Sequence, residues 1–103
     1  MKLKGKAAVV TGGGRGIGRA IALELARQGA AVVINDPGLG RSGELTTERP
    51  ADEVAAEIVQ AGGRAVANHE SVADHQKAGQ MVQQCIDSFG SIDILINSAG
   101  VVR

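Results

Sequence analysis

The chain has 103 residues, with 11 basic and 11 acidic side chains that leave no formal net charge. That length fits one domain with a modest core, and electroneutrality offers no attraction to nucleic acid or to an anionic membrane. Hydrophobic residues make up 44% and Phe89 is the only aromatic, so the core is expected to be aliphatic and alanine-rich, built by close helix-on-sheet contact. A single cysteine, Cys85, excludes an internal disulfide and fits a reducing compartment, which makes a cytoplasmic location the expectation. The segment Met1-Lys-Leu-Lys-Gly-Lys6 precedes an apolar run too short for a secretory signal, and no run is long enough to span a bilayer.

Strand and helix signals alternate from end to end. Lys6–Thr11 is a continuous apolar run, as expected of a parallel strand covered on both faces. Gly16–Gln28 reads as the first helix, with Ile17, Ala20, Ile21, Leu25 and Ala26 on one side and Gly29 closing it. Ala31–Asn35 is the second strand and runs into Asp36-Pro37. From Pro37 to Pro50 the chain is rich in Gly, Ser, Thr and charge without periodicity, which predicts a long surface loop. Ala51–Ala61 is the second helix, stopped by Gly62-Gly63, and Arg64–Asn68 is a short third strand. Asp74–Ser88 is the third helix, where Ala78, Val82, Cys85, Ile86 and Phe89 form one apolar stripe. Ile92–Asn97 is the fourth strand. The whole chain, residues 1–103, reads as one α/β domain.

A β-α-β-α-β-α-β series with right-handed crossovers gives a parallel, doubly wound sheet with helices on both faces, here part of a Rossmann-type fold. The expected strand order is 3-2-1-4. Ligands bind beyond the carboxyl ends of strands where the order reverses, between strands 1 and 4. Gly12–Gly18 and Asn97–Gly100 both fall there.

Gly12-Gly-Gly-Arg-Gly-Ile-Gly18 turns the first strand directly into the first helix. Glycines let the backbone turn tightly and approach a ligand, and the free N–H groups of the helix point at an anion such as a diphosphate. The strict Gly-x-Gly-x-x-Gly spacing is not met. Instead the chain carries Thr11-Gly12-x-x-x-Gly16-x-Gly18, and Asn97-Ser-Ala-Gly100 after the fourth strand. Together these resemble the short-chain dehydrogenase/reductase family, and the likeness covers the N-terminal half of that family's domain. Asn35-Asp-Pro-Gly-Leu-Gly40, the loop after it, Gly62-Gly-Arg-Ala-Val-Ala-Asn68 and Ser71-Val72 look closest to one branch. That branch is the 3-hydroxyacyl-CoA dehydrogenase domain of peroxisomal multifunctional β-oxidation enzymes and their bacterial relatives.

The resemblance implies a dinucleotide cofactor, held by Gly12, Gly14, Arg15, Gly16, Ile17 and Gly18 of the turn. Asp36, 18 residues past Gly18, can accept hydrogen bonds from both adenosine ribose hydroxyls and repel a 2′-phosphate, which points to NAD. Arg15 pulls the other way, since NADP-dependent members often place a basic residue inside the turn; repulsion by Asp36 is expected to dominate. Glu70 and Ser71 stand where the family usually has an Asp facing the adenine, and a plain exposed acid is a nearly equal reading of Glu70. Asn97 and Ser98 replace the family's paired asparagines, with Ser98 at the cofactor-contacting position. Ala99 and Gly100 fit the pattern unchanged. The implied substrate is a small alcohol or acyl compound, handled by the complete enzyme as a homo-oligomer, with no nucleic acid or membrane partner.

Other conspicuous residues read as structural. Cys85 lies on an apolar stripe, His69 and His75 lack metal-ligand spacing, and Glu53 and Glu57 form a solvated helix face. The family's proton-transfer Tyr and its Lys have no counterpart, because the chain has no tyrosine; no catalytic residue is therefore assigned. The fourth strand is expected to be an exposed apolar edge. Three readings stand: the cofactor-binding half of a short-chain dehydrogenase, a non-catalytic dinucleotide-binding or partner-binding module, or another Rossmann class such as a methyltransferase. The motif spacing disfavours the last.

Overall fold

The computed structural model describes residues 2–12, 16–36, 50–69 and 75–97. Among the described residues the order is β1 (Ala7–Thr11), α1 (Gly16–Arg27), β2 (Ala31–Asn35), α2 (Pro50–Gln60), β3 (Ala65–Asn68), α3 (His75–Phe89) and β4 (Ile94–Asn97). The strands form one sheet in the order β3-β2-β1-β4, every pairing parallel. The expected topology is therefore the observed one, and element ends differ from expectation by one or two residues. One such shift has a simple cause: α2 begins at Pro50, because proline lacks an N–H that the first helical position would leave unpaired anyway.

β1 and β2 are buried along their whole length, which is why their residues are apolar without alternation. The side chains still alternate between faces. Val10, Val32 and Ile34 join Ala22 of α1 and Ala51, Val54, Ala55 and Ile58 of α2 in one core. Ala7, Val9 and Val33 pack with Met81 and Cys85 of α3 in the other. Both cores are aliphatic and rich in alanine, and Phe89 only flanks the second.

The seat of α1 differs from expectation. Ile17 is 76% exposed and Ala20 is also exposed, whereas Gly18 and Ala22 are buried. The smallest side chains touch the sheet, letting the helix axis approach closely and turning Ile17 and Ala20 outward. Ile21, Leu25 and Ala26 are half-buried between these extremes. On α3 the seat is Met81 and Cys85, flanked by half-buried Val82 and Phe89, and Ile86 lies outside it. The expected edge is present: Leu95 of β4 is 58% exposed.

At the base of the sheet, the Asp93 N–H donates to the Ala7 carbonyl at 2.8 Å. Its Oδ2 accepts from the Ala7 N–H at 2.9 Å and from the Ser91 hydroxyl at 3.1 Å. The Ala7 N–H, and after it the Ser91 hydroxyl, hold this carboxyl below its usual 3.8. A carboxyl whose pKa is lowered by folding adds stability that is complete above its unfolded pKa and lost as pH falls through the folded value.

Two outcomes are expected. Ile34→Ala, at a fully buried position, should lower unfolding free energy by ~2–5 kcal/mol in urea titration. Acidification below about pH 4 should destabilise the parent chain more steeply than Asp93→Asn, measured by urea midpoints. Glu24, held at about 2 by the Arg27 and then the Gln28 hydrogen bond, titrates in both proteins and cancels. Parallel pH profiles would remove the role given to Asp93.

Candidate functional site

Because all four strands run the same way, their carboxyl ends meet at one rim. The registers place Asn68 opposite Asn35, Asn35 opposite Thr11, and Thr11 opposite Asn97. Four consecutive strand ends thus present one row of polar residues. Their two-residue spacing from Val66, Val33 and Val9 puts Asn68, Asn35 and Thr11 on the α3 face of the sheet. The Thr11 hydroxyl donates to Asn97 Oδ1 at 2.9 Å, and its Oγ also lies 3.4 Å from the Ile96 carbonyl oxygen. Asn35 Nδ2 donates to Asn68 Oδ1 at 2.8 Å, and Asn68 Nδ2 donates to Gln84 Oε1 at 2.7 Å. Gln84 Nε2 closes the chain on the Ala67 carbonyl at 3.3 Å.

Above this row the chain leaves β1 through Gly12, with φ of +66°, and enters α1 through Gly16, with φ of +54°. A side chain in that conformation costs ~1–2 kcal/mol. Open space surrounds the point where a Gly16 Cβ would stand, so backbone conformation alone requires glycine there. The amino end of α1 consequently opens on the rim and carries the partial positive charge of its free N–H groups. One strand away, Asp36 follows the tip of β2. Its N–H donates to the Asn68 carbonyl at 2.9 Å, and the residue is 8% exposed. Asp36 continues the face of Val32 and Ile34, opposite the amide row.

Of the residues singled out in the sequence, Gly12, Gly16, Ile17, Gly18, Asp36 and Asn97 lie among those described. The strand pairing brings Gly12 and Asn97 together, since Thr11 pairs with Asn97. Gly14, Arg15, Glu70, Ser71, Ser98, Ala99 and Gly100 lie outside the described residues. Sequence reasoning missed Asn35, Asn68 and Gln84. The sequence shows that Asn35 and Asn68 each end a strand, but the register that aligns them and the place of Gln84 come from the fold.

The remaining candidates fall elsewhere. Glu57 forms a bidentate pair with Arg19 at 2.7 Å, tying α2 to α1. His69 Nε2 stands 3.3 Å from the Asp52 carboxylate. Among the described residues no group of three or more His, Cys, Asp or Glu could hold a metal ion, and no helix is long and apolar enough to cross a membrane. Among the described residues, a cleft of about 620 Å³ lies at the opposite end of the sheet between the carboxyl ends of α1 and α2, lined by Leu23, Ala26, Arg27, Ile58, Gly63 and Arg64 among others. Helix carbonyls, not N–H groups, face that end.

Residues 6–103 match the family model described as short chain dehydrogenase. The chain is 50% identical over its full length to peroxisomal multifunctional enzyme A of Dictyostelium discoideum, covering 23% of that protein. It is 47% identical to peroxisomal multifunctional enzyme type 2 of Drosophila melanogaster, again over its whole length and 17% of the relative. A short chain dehydrogenase from Mycobacterium avium superposes with a TM-score of 0.88 at 44% identity, covering all of this chain and 37% of that one. A 7α-hydroxysteroid dehydrogenase complexed with NADH and 7-oxo glycochenodeoxycholic acid gives 0.79 at 35% identity, over 91% of this chain and 33% of that one. The chain therefore spans a third or so of the single-enzyme structures and a quarter or less of the multifunctional relatives. A match that begins at Lys6 and runs to Arg103, with identities of this size, assigns the chain to the short-chain dehydrogenase family of oxidoreductases.

Proposed function

We propose that residues 1–103 form the dinucleotide-binding, N-terminal part of an NAD-dependent short-chain dehydrogenase. The reaction is hydride transfer between nicotinamide and a secondary alcohol or ketone, with a 3-hydroxyacyl-CoA as the substrate class. The observation that carries this reading is Asp36: a carboxylate 8% exposed, at the tip of β2, beside a glycine turn and a helix amino end. Those groups fit the two ends of a dinucleotide's adenosine half, diphosphate at the helix and ribose at the carboxylate.

The residues divide the work by chemistry. Backbone N–H groups around Gly12, Gly14, Arg15, Gly16, Ile17 and Gly18 would hold the diphosphate, with Arg15 adding charge. Asp36 would accept from the ribose hydroxyls. A 2′-phosphate placed against this carboxylate would meet like-charge repulsion. Glu70 and Ser71 would border the adenine, and Asn97, Ser98, Ala99 and Gly100 would line the path towards the nicotinamide. When bound, the dinucleotide supplies the hydride acceptor or donor. Proton transfer at the substrate oxygen needs a group that these 103 residues do not offer in the family's form, since they include no tyrosine. The likeness to peroxisomal multifunctional enzymes supports the acyl-CoA substrate class, and the NADH in the steroid dehydrogenase complex supports the cofactor.

Calorimetric titration of the purified chain should show binding of NAD about tenfold tighter than NADP, a difference of about 1.4 kcal/mol. Asp36→Ala should erase or invert that preference. Equal affinity of the parent for both cofactors would overturn the role of Asp36. Incubation of the chain with NAD and 3-hydroxyacyl-CoA should give no NADH absorbance; turnover by pure protein would overturn the division of labour.

A further inference from the structure

The strand tip that carries Asp36 is held from two directions. Its backbone N–H is tied to the Asn68 carbonyl at 2.9 Å. The side chain before it, Asn35, is tied to the Asn68 side chain at 2.8 Å. Gln84 on α3 restrains rotation of the Asn68 amide through the 2.7 Å bond to Nδ2. Gln84 is itself anchored on the Ala67 carbonyl at 3.3 Å. A side-chain amide has one acceptor and one donor end. Locking one end of Asn68 on Gln84 therefore decides which end faces Asn35.

We propose that the Asn35–Asn68–Gln84 amide chain is a positioning device that sets the direction of the Asp36 carboxylate and thereby the preference between NAD and NADP. Among the described residues, Gln84 connects to the Asp36 strand tip through Asn68 and Asn35, from the face of the sheet opposite Asp36. It acts as a positioning residue, touching no part of the cofactor. This inference rests on Asp36 reading the ribose, as proposed above.

The test compares the parent chain with Gln84→Met, which keeps the length but removes both hydrogen bonds. Gln84→Ala serves as a second variant with the best helix propensity. Gln84→Glu retains an acceptor for Asn68 Nδ2 and is the conservative rescue. NAD and NADP affinities are measured by calorimetry, and exchange of the Asp36 amide by NMR without cofactor. In the Met and Ala variants the NAD-to-NADP affinity ratio should fall about threefold to tenfold, the size of one lost hydrogen bond, and Asp36 amide exchange should quicken. Gln84→Glu should keep the ratio within about twofold of the parent. Equal weakening of both cofactors, or an unchanged ratio, would reduce Gln84 to a structural residue and overturn the proposal. A parent chain without NAD preference would instead overturn the reading of Asp36 itself.

Discussion

Parallel register is the constraint on which the other features depend. β1 pairs with β2 on one side and β4 on the other, and its last residue, Thr11, lies level with both Asn35 and Asn97. A slip of one residue in either ladder would turn every side chain of that strand to the other face. The two aliphatic cores would then trade places, and the polar row at the rim would break. Burial of β1 and β2 on both faces makes such a slip costly, because Val9, Val10, Val33 and Ile34 each fill a site shaped by different helices. Chemistry at the rim inherits its alignment from packing deeper in the sheet.

That dependence explains what the sequence revealed and what it hid. The strands and helices were legible because Ala7–Val10 and Ala31–Ile34 are apolar throughout, and because glycines at 29, 62 and 90 end the helices. The strand order followed from connectivity, and the likeness to short-chain dehydrogenases rested on Thr11, Gly12, Gly16 and Gly18 together with the Asn97-Ser-Ala-Gly100 segment. The face that α1 gives to the sheet was not legible. Side-chain size suggested Ile17, but closeness of approach selected Gly18 and Ala22, a choice visible only once helix and sheet are docked. Likewise Asn35, Asn68 and Gln84 stand far apart in sequence, and each alone is a common polar residue. Only the register and the seat of α3 bring their amides together.

The two faces of the sheet carry different burdens at the rim. On the α1–α2 side lie the glycine turn and Asp36, where backbone N–H groups and a carboxylate offer opposite electrostatic signs a strand apart. On the α3 side lies a network of neutral side-chain amides. Among the described residues, the helix end and Asp36 supply the charge at the rim.

Cys85 sits at the centre of the α3 seat, fully buried, with its Sγ 3.3 Å from the Ser91 carbonyl oxygen. Burial, with a smaller push from Asp93, raises its thiol above the usual value, so a maleimide or iodoacetamide finds neither access nor thiolate in the folded state. It is also the chain's single sulfhydryl. The alkylation rate of the unaltered protein therefore times how often α3 lifts from the sheet, an intrinsic clock for opening that needs no engineered label.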